Sequence, residues 1–324
     1  MCILYVGPVH LSYYRSSRII SESSKQQLSI SSCALPTRKS EPPFQNHRSF
    51  HRAMATHRHP EHVVATIKFI QKGFKLIRQS RTPYLDDASD QLKKTLNVAT
   101  SRLDFYTGKP GDDGDEFIEP FPHTKMHELV NRIQPWESPA CPSILPVDGD
   151  LDNRGQARDI WNVLQSYLRL NKDDEAPGII SGTDWKIVTP EEDDILFPLL
   201  TNSFWKVEKF VDQCDFKKPH ISCFLTNGSP LRDMVPYMSE LETIVWVTGS
   251  RLLDKGYQDH HIVPVTIVSA SGPRLRITQG YVHQGQVFVR MTPIIDLEEG
   301  ERKKWDEFIQ TLCWIVGNPI GNTA

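Results

Sequence analysis

Directly behind Pro60, apolar residues recur at three- and four-residue spacing: Val63, Val64, Ile67, Ile70, Phe74 and Ile77. That period places them on one face of a helix, predicted from Pro60 to about Ser80. A second stripe opens at Thr82-Pro83 and carries Leu85, Ala88, Leu92, Leu96, Ala99 and Leu103. The short break between the two predicts an antiparallel helical hairpin. The period then fails over residues 107–124, an acidic stretch rich in Gly and Pro that reads as a loop. A short helix is predicted around Met126–Ile133, with Thr124 at its start. After an irregular segment from Pro135 to Asn153, Ile160, Val163, Leu164, Tyr167 and Leu168 mark a helix at about Gln156–Leu170. Thr189-Pro190-Glu191-Glu192 is a capping box, and Pro198 should end its helix early. Ser203 is read as opening one more, with Phe204, Val207, Phe210 and Val211 inward.

The pattern changes from His220 onward. His220–Leu225 reads as a strand, followed by a helix capped by Ser239 with Glu242 closing the box. Its inward side is Leu241, Ile244, Val245, Thr248 and Leu252, and Gly256 fits its C-terminal cap. Three strand-like runs follow, HHIVPVTIVSASG, PRLRITQGYVHQG and QVFVRMTPIIDL, separated by Gly-containing turns. Trp305, Phe308, Ile309, Leu312 and Val316 give a final helix that Gly317 and Pro319 stop. The order predicts an α+β fold in which residues 54–324 form one domain. A helical layer would occupy 54–215, and a small, mostly antiparallel sheet with helices on one face would occupy 216–324.

The runs HIVPVTIVSASGPRLRITQGYV, VFVRMTPIIDL and LCWIVGNPIGN resemble a lineage-specific group of uncharacterised proteins of filamentous fungi. The resemblance covers roughly the last 100 residues of the chain and implies no activity, cofactor or catalytic residue.

Composition divides the chain at Met54. Residues 1–53 hold seven Lys+Arg and two acids, which leaves 30 basic and 38 acidic residues in the body. The leading segment is also rich in Ser and Pro, so it is expected to be a disordered or leader extension. A cytoplasmic location is expected, with a mitochondrial one as the alternative if residues 1–53 act as a transit peptide. The acidic body argues against general nucleic-acid binding, and no apolar run is long enough for a transmembrane segment. The six cysteines form no C-x-x-C pair and read as reduced thiols, with Cys223 and Cys313 in apolar segments.

Candidate chemistry is sparse. Asp148, Asp150, Asp152 and Asp159 imitate a calcium loop, whose alternating carboxylates would converge on a hard cation. Asn153 stands where such a loop turns on Gly, and Gly155 replaces its apolar anchor, which favours an acidic turn capping the next helix. His123 and His127 are four apart but lack the adjacent Glu of a metalloprotease helix. His57, His59 and His62 cluster before the first helix, and His260-His261 precede a strand. Asp184-Trp185-Lys186 has the D-x-K form of a nuclease strand, which requires a partner acid on a neighbouring strand. No phosphate-binding Gly loop and no nucleophile elbow are present.

The expectation is therefore a non-enzymatic soluble protein that acts on a protein partner or by self-association, with no catalytic, cofactor or metal residue assigned. One alternative is a metal-dependent hydrolase or nuclease-like enzyme using Asp148–Asp152 or Asp184 with Lys186. Another is a small-molecule binding protein with Trp161, Trp185, Trp205 and Trp246 around a pocket between sheet and helices.

Overall fold

A computed structural model describes residues 59–133, 152–169, 178–188, 200–215 and 217–324. The 1–53 extension, Asp148, Asp150 and the capping box at 189–192 lie outside the described residues.

Helix α1 (Glu61–Gln79) follows its predicted stripe, with Val63, Ile67, Ile70, Phe74 and Ile77 buried. The second stripe does not stay helical. Only Asp90–Leu96 forms a helix, α2, and Asn97 ends it in the left-handed region at φ 45°. The next residues form strand β1 (Val98–Arg102), parallel to a strand from the far end of the chain. Val98 and Thr100 are β-branched, so once Asn97 turns the backbone, sheet pairing outweighs the apolar spacing that continues through Ala99 and Leu103.

Strand β2 (Ile118–Glu119) leads to α3 (His123–Ile133), which starts at His123. Helix α4 (Asn153–Arg169) lies at its predicted place. The expected helix from Ser203 is strand β4 (Trp205–Gln213), antiparallel to β3 (Trp185–Val188) and β5 (Ile221–Asn227). A bulge between Val207 and Lys209 breaks its alternation, and the apolar residues then imitate helical spacing. Phe204, expected inward, is 71% exposed in the turn before it.

Helix α5 (Met238–Leu253) is capped at Tyr237, two residues before the predicted Ser239, with Glu240 rather than Glu242 closing the box. The Glu240 carboxylate accepts the Tyr237 N–H at 2.8 Å. The three predicted strands are β6 (Val265–Ser271), β7 (Arg274–His283) and β8 (Gln286–Met291). Short β9 (Ile295–Asp296), helix α6 (Trp305–Ile315) and short β10 (Asn318–Pro319) complete the chain.

The α+β expectation is overturned: the fold is mixed α/β around one eight-stranded sheet. The strand order is β1-β8-β7-β6-β5-β4-β3, with β9 beside β7. β1 pairs parallel to β8 and β5 parallel to β6, while the other neighbours are antiparallel. The β5–β6 pair requires a crossover, which α5 supplies. The expected helical layer instead contributes β1, β3 and β4 to the sheet. Its helices divide between the two faces. α1 and α5 cover one face over Cys223, Leu225, Val265, Ile267, Val287 and Val289. α3, α4 and α6 cover the other over Phe224, Val268, Leu275 and Ile277. A sheet covered on both faces explains why β5 and β6 are buried at every position instead of alternating.

One buried network ties the crossover to the sheet. Glu240 is fully buried on α5 and accepts from Ser269 Oγ at 2.6 Å, Thr278 Oγ1 at 2.8 Å and Arg276 Nη2 at 2.7 Å. Arg276, equally buried, also donates to the carbonyls of Arg232 and Val235, both at 2.9 Å.

Replacing Phe308, which is fully buried on α6, with Ala is expected to cost about 3–5 kcal/mol in urea unfolding. An unchanged midpoint would place that helix face wrongly. Glu242 on α5 gives a pH-dependent expectation. Burial pushes its carboxyl up to about 7, against the pull of Arg78, whose Nε lies 2.6 Å away. The folded state therefore binds a proton that the unfolded state releases, and stability falls as pH rises from about 4.5 to about 7. Glu242→Gln should remove that slope and gain at most about 3 kcal/mol over the wild type above pH 7. Parallel pH profiles of the two proteins would reject this.

Candidate functional site

The described cleft lies on the sheet face opposite α1 and α5, at the β1 edge. Its shape follows from the chain beyond β1. Asp104 Oδ1 accepts the N–H groups of Tyr106 and Thr107 at 3.0 and 2.7 Å and closes a turn that Gly108 completes at φ 78°. The chain then runs back along the end of β1. The Asp104 N–H donates to Lys109 O at 2.9 Å, and the Gly111 N–H to Arg102 O at 2.7 Å. From Gly111 it rises over the sheet face, where Asp112 meets Arg290 of β8.

Arg290 is only 1% exposed and reads at first as an unfavourable buried cation. It is answered at each side of its fork. Nε donates to Asp112 Oδ2 at 3.0 Å, Nη2 to Asp112 Oδ1 at 2.7 Å, and Nη1 to the Asp115 carbonyl at 2.6 Å. Ser101 Oγ and the Gly114 N–H also donate to Asp112. Burial raises the Asp112 carboxyl, but hydrogen bonds from Arg290, Ser101 and Gly114 and the charge of Arg290 prevail. They hold it below its ordinary value. Gly114 is required at its position because a Cβ there would overlap Arg290 Nη2.

Beside this pair, Tyr281 and Phe288 stack with centroids 4.8 Å apart and planes 5° from parallel, and Phe117 closes edge-on against Tyr281 at 5.0 Å. Ala99 lies next to Phe288 in register and is too small to cover it. The resulting cleft of about 290 Å³ is lined by Ala99, Thr100, Ser101, Asp112, Asp113, Gly114, Tyr281 and Phe288. Ser101 donates to a carboxylate that Arg290 already holds, so neither group is arranged as a nucleophile with a base.

The backbone of β1 adds a second feature. β1 is the last strand at its end of the sheet. The Leu103 N–H points inward to Met291 O, and Arg102 O points outward to Gly111. By the alternation of a parallel ladder, Thr100 presents both its N–H and its C=O outward. Thr100 is exposed, and among the described residues no backbone group bonds to it on the side away from β8.

The sequence-derived candidates do not assemble. Asp152 Oδ1 accepts the Gly155 N–H at 2.7 Å, the capping role of the turn reading, and Asp159 is half-buried on α4. His123 Nε2 contacts the Asp306 carbonyl at 3.3 Å, and His127 Nδ1 contacts Asn131 at 2.9 Å. His62 and His261 do come together, with ring centroids 4.1 Å apart, and His59 meets Gln258 at 2.9 Å. Lys186 lies on β3 and Asp184 just before it, and the acid across from Lys186 is Asp212 of β4, already paired with Arg251. Among the described residues no group of three or more His, Cys, Asp or Glu side chains could hold a metal ion. The four tryptophans line no common pocket. Trp161 and Trp185 belong to the α3/α4/α6 face, Trp205 and Trp246 to the α1/α5 face.

Sequence reading missed Arg290, Asp112, Tyr281 and Phe288. Lone charges in a strand and a loop carry no motif, and their meeting depends on β1 lying beside β8. Compared with known proteins, the chain matches no family model, no curated protein and no solved structure.

Removing Asp112 as Ala should leave the buried Arg290 donors unanswered and cost about 1–3 kcal/mol. Gly114→Ala should also destabilise, because the loop must lift away from Arg290. If both variants melted with the wild type, the loop would not be held by this pair.

Proposed function

We propose that this protein is a non-enzymatic binding protein that takes an extended segment of a protein partner along the free edge of β1. The observation that carries the reading is the outward N–H and C=O of Thr100 beside a preformed cleft. Strand addition to such an edge supplies main-chain hydrogen bonds, and an adjoining pocket supplies selectivity for a side chain. Exposed edges are otherwise a liability that proteins cover, bulge or charge, and at Val98–Thr100 none of these devices is present among the described residues. The edge closes again at Arg102 through Gly111, which limits the accessible stretch to a short docking register.

The other readings find less support. Among the described residues Asp152 caps a helix, and Asp212, the acid facing Lys186, is paired with Arg251. The tryptophans of a small-molecule pocket are core residues on opposite faces. Among the described residues no helix is long and apolar enough to cross a membrane.

Thr100→Pro tests the proposal. The Thr100 N–H faces away from β8, so proline there removes no bond of the β1–β8 ladder while blocking a new one. Wild-type and variant chains, matched by melting temperature, would each be used for quantitative affinity capture. A partner retained by the wild type should be lost by Thr100→Pro. Equal retention would exclude the β1 edge.

A further inference from the structure

We infer that the segment received at the β1 edge is basic and places a Lys or Arg side chain over Phe288 toward Asp113; this rests on the edge-binding reading above. The first ground is geometric. In the parallel register Ala99 is the neighbour of Phe288 and Ser101 the neighbour of Arg290, so their side chains share the cleft face. A strand added outside β1 would send alternate side chains to that same face. One of them would come to lie beside Ala99, whose methyl group leaves the way to the Phe288 ring open. Tyr281 is stacked against Phe288 and closes the far end. An occupant of this cleft therefore has a stem that lies along apolar surface and a polar tip near the 112–114 loop.

The second ground is charge. The loop sequence Gly111–Asp112–Asp113–Gly114–Asp115–Glu116 carries four acids. Arg290, behind Asp112 and Gly114 of the cleft lining, is committed to Asp112 and to the Asp115 carbonyl, and it is buried. Arg102, at the end of β1, is turned to Asp233 at 3.7 Å. Asp113 is exposed and lines the cleft mouth. The field at the mouth is therefore negative. A long aliphatic stem with a cationic head meets both conditions, packing its methylenes on Phe288 and offering its charge to the ring and to Asp113. An acidic or short neutral side chain meets neither.

The test uses the full chain and a phage-displayed random dodecapeptide library selected on it. Selected peptides would be synthesised, labelled and titrated by fluorescence anisotropy against wild type, Thr100→Pro and Asp113→Lys, all checked by thermal melting. The inference expects Lys or Arg at one fixed position among β-branched residues. It also expects about tenfold weaker binding to Asp113→Lys, the size of one cation–π or charge contact, and loss of binding to Thr100→Pro. Peptides that lose Thr100→Pro but carry a neutral or acidic residue at that position, and ignore Asp113→Lys, would overturn the basic partner and leave the edge reading standing. Peptides that bind Thr100→Pro unchanged, or a selection that yields none, would overturn both. A concentration-dependent dimer that Thr100→Pro dissolves, and that excludes the peptides, would assign the edge to a second copy of the chain and overturn the inference.

Discussion

The buried carboxylate of Glu240 is the constraint on which the rest of the sheet depends. It stands at the start of α5, where the chain leaves β5 to cross over to β6, and it binds Ser269 of β6 together with Arg276 and Thr278 of β7. The same carboxylate accepts the Tyr237 N–H that begins the helix. Two charges removed from water are costly unless each lone pair and each N–H is answered, and here Arg276 completes its set on the carbonyls of Arg232 and Val235. The loop before α5, the helix and two strands are thereby fixed in one register.

That register is transmitted outward. With β7 set against β6, β8 follows by the tight turn at Gln284-Gly285, and β8 in turn receives β1. Helices on both faces then bury the centre of the sheet. Gly280 lets Ile244 of α5 approach the backbone of β7, where any Cβ would overlap it. Among the described residues nothing covers the edge at β1, because the chain after Arg102 turns up over the face instead of continuing alongside.

The cleft follows from this exception. A loop anchored by an Arg–carboxylate fork stands over two stacked aromatic rings, next to a backbone that has no neighbour on one side among the described residues. Each part is an ordinary device for stability. Together they leave a wall, a floor and, at Thr100, outward backbone hydrogen-bonding groups with no partner among the described residues.

The sequence by itself determined the elements whose periodicity was long and unambiguous: α1, α4, α5, α6 and the β6–β8 meander. In each, apolar spacing and the flanking caps or turn glycines point the same way. It did not determine β1 or β4. Ala99 and Leu103 continue a helical stripe, and the bulge at Val207–Lys209 makes a strand imitate one. Tertiary structure decided both, because a strand is stabilised by a partner that local sequence does not contain, and the partner of β1 lies nearly 190 residues away. The site depends on the same pairing. Asp112 and Arg290 have no meaning in sequence, since only the closing of β1 on β8 brings the loop over the guanidinium.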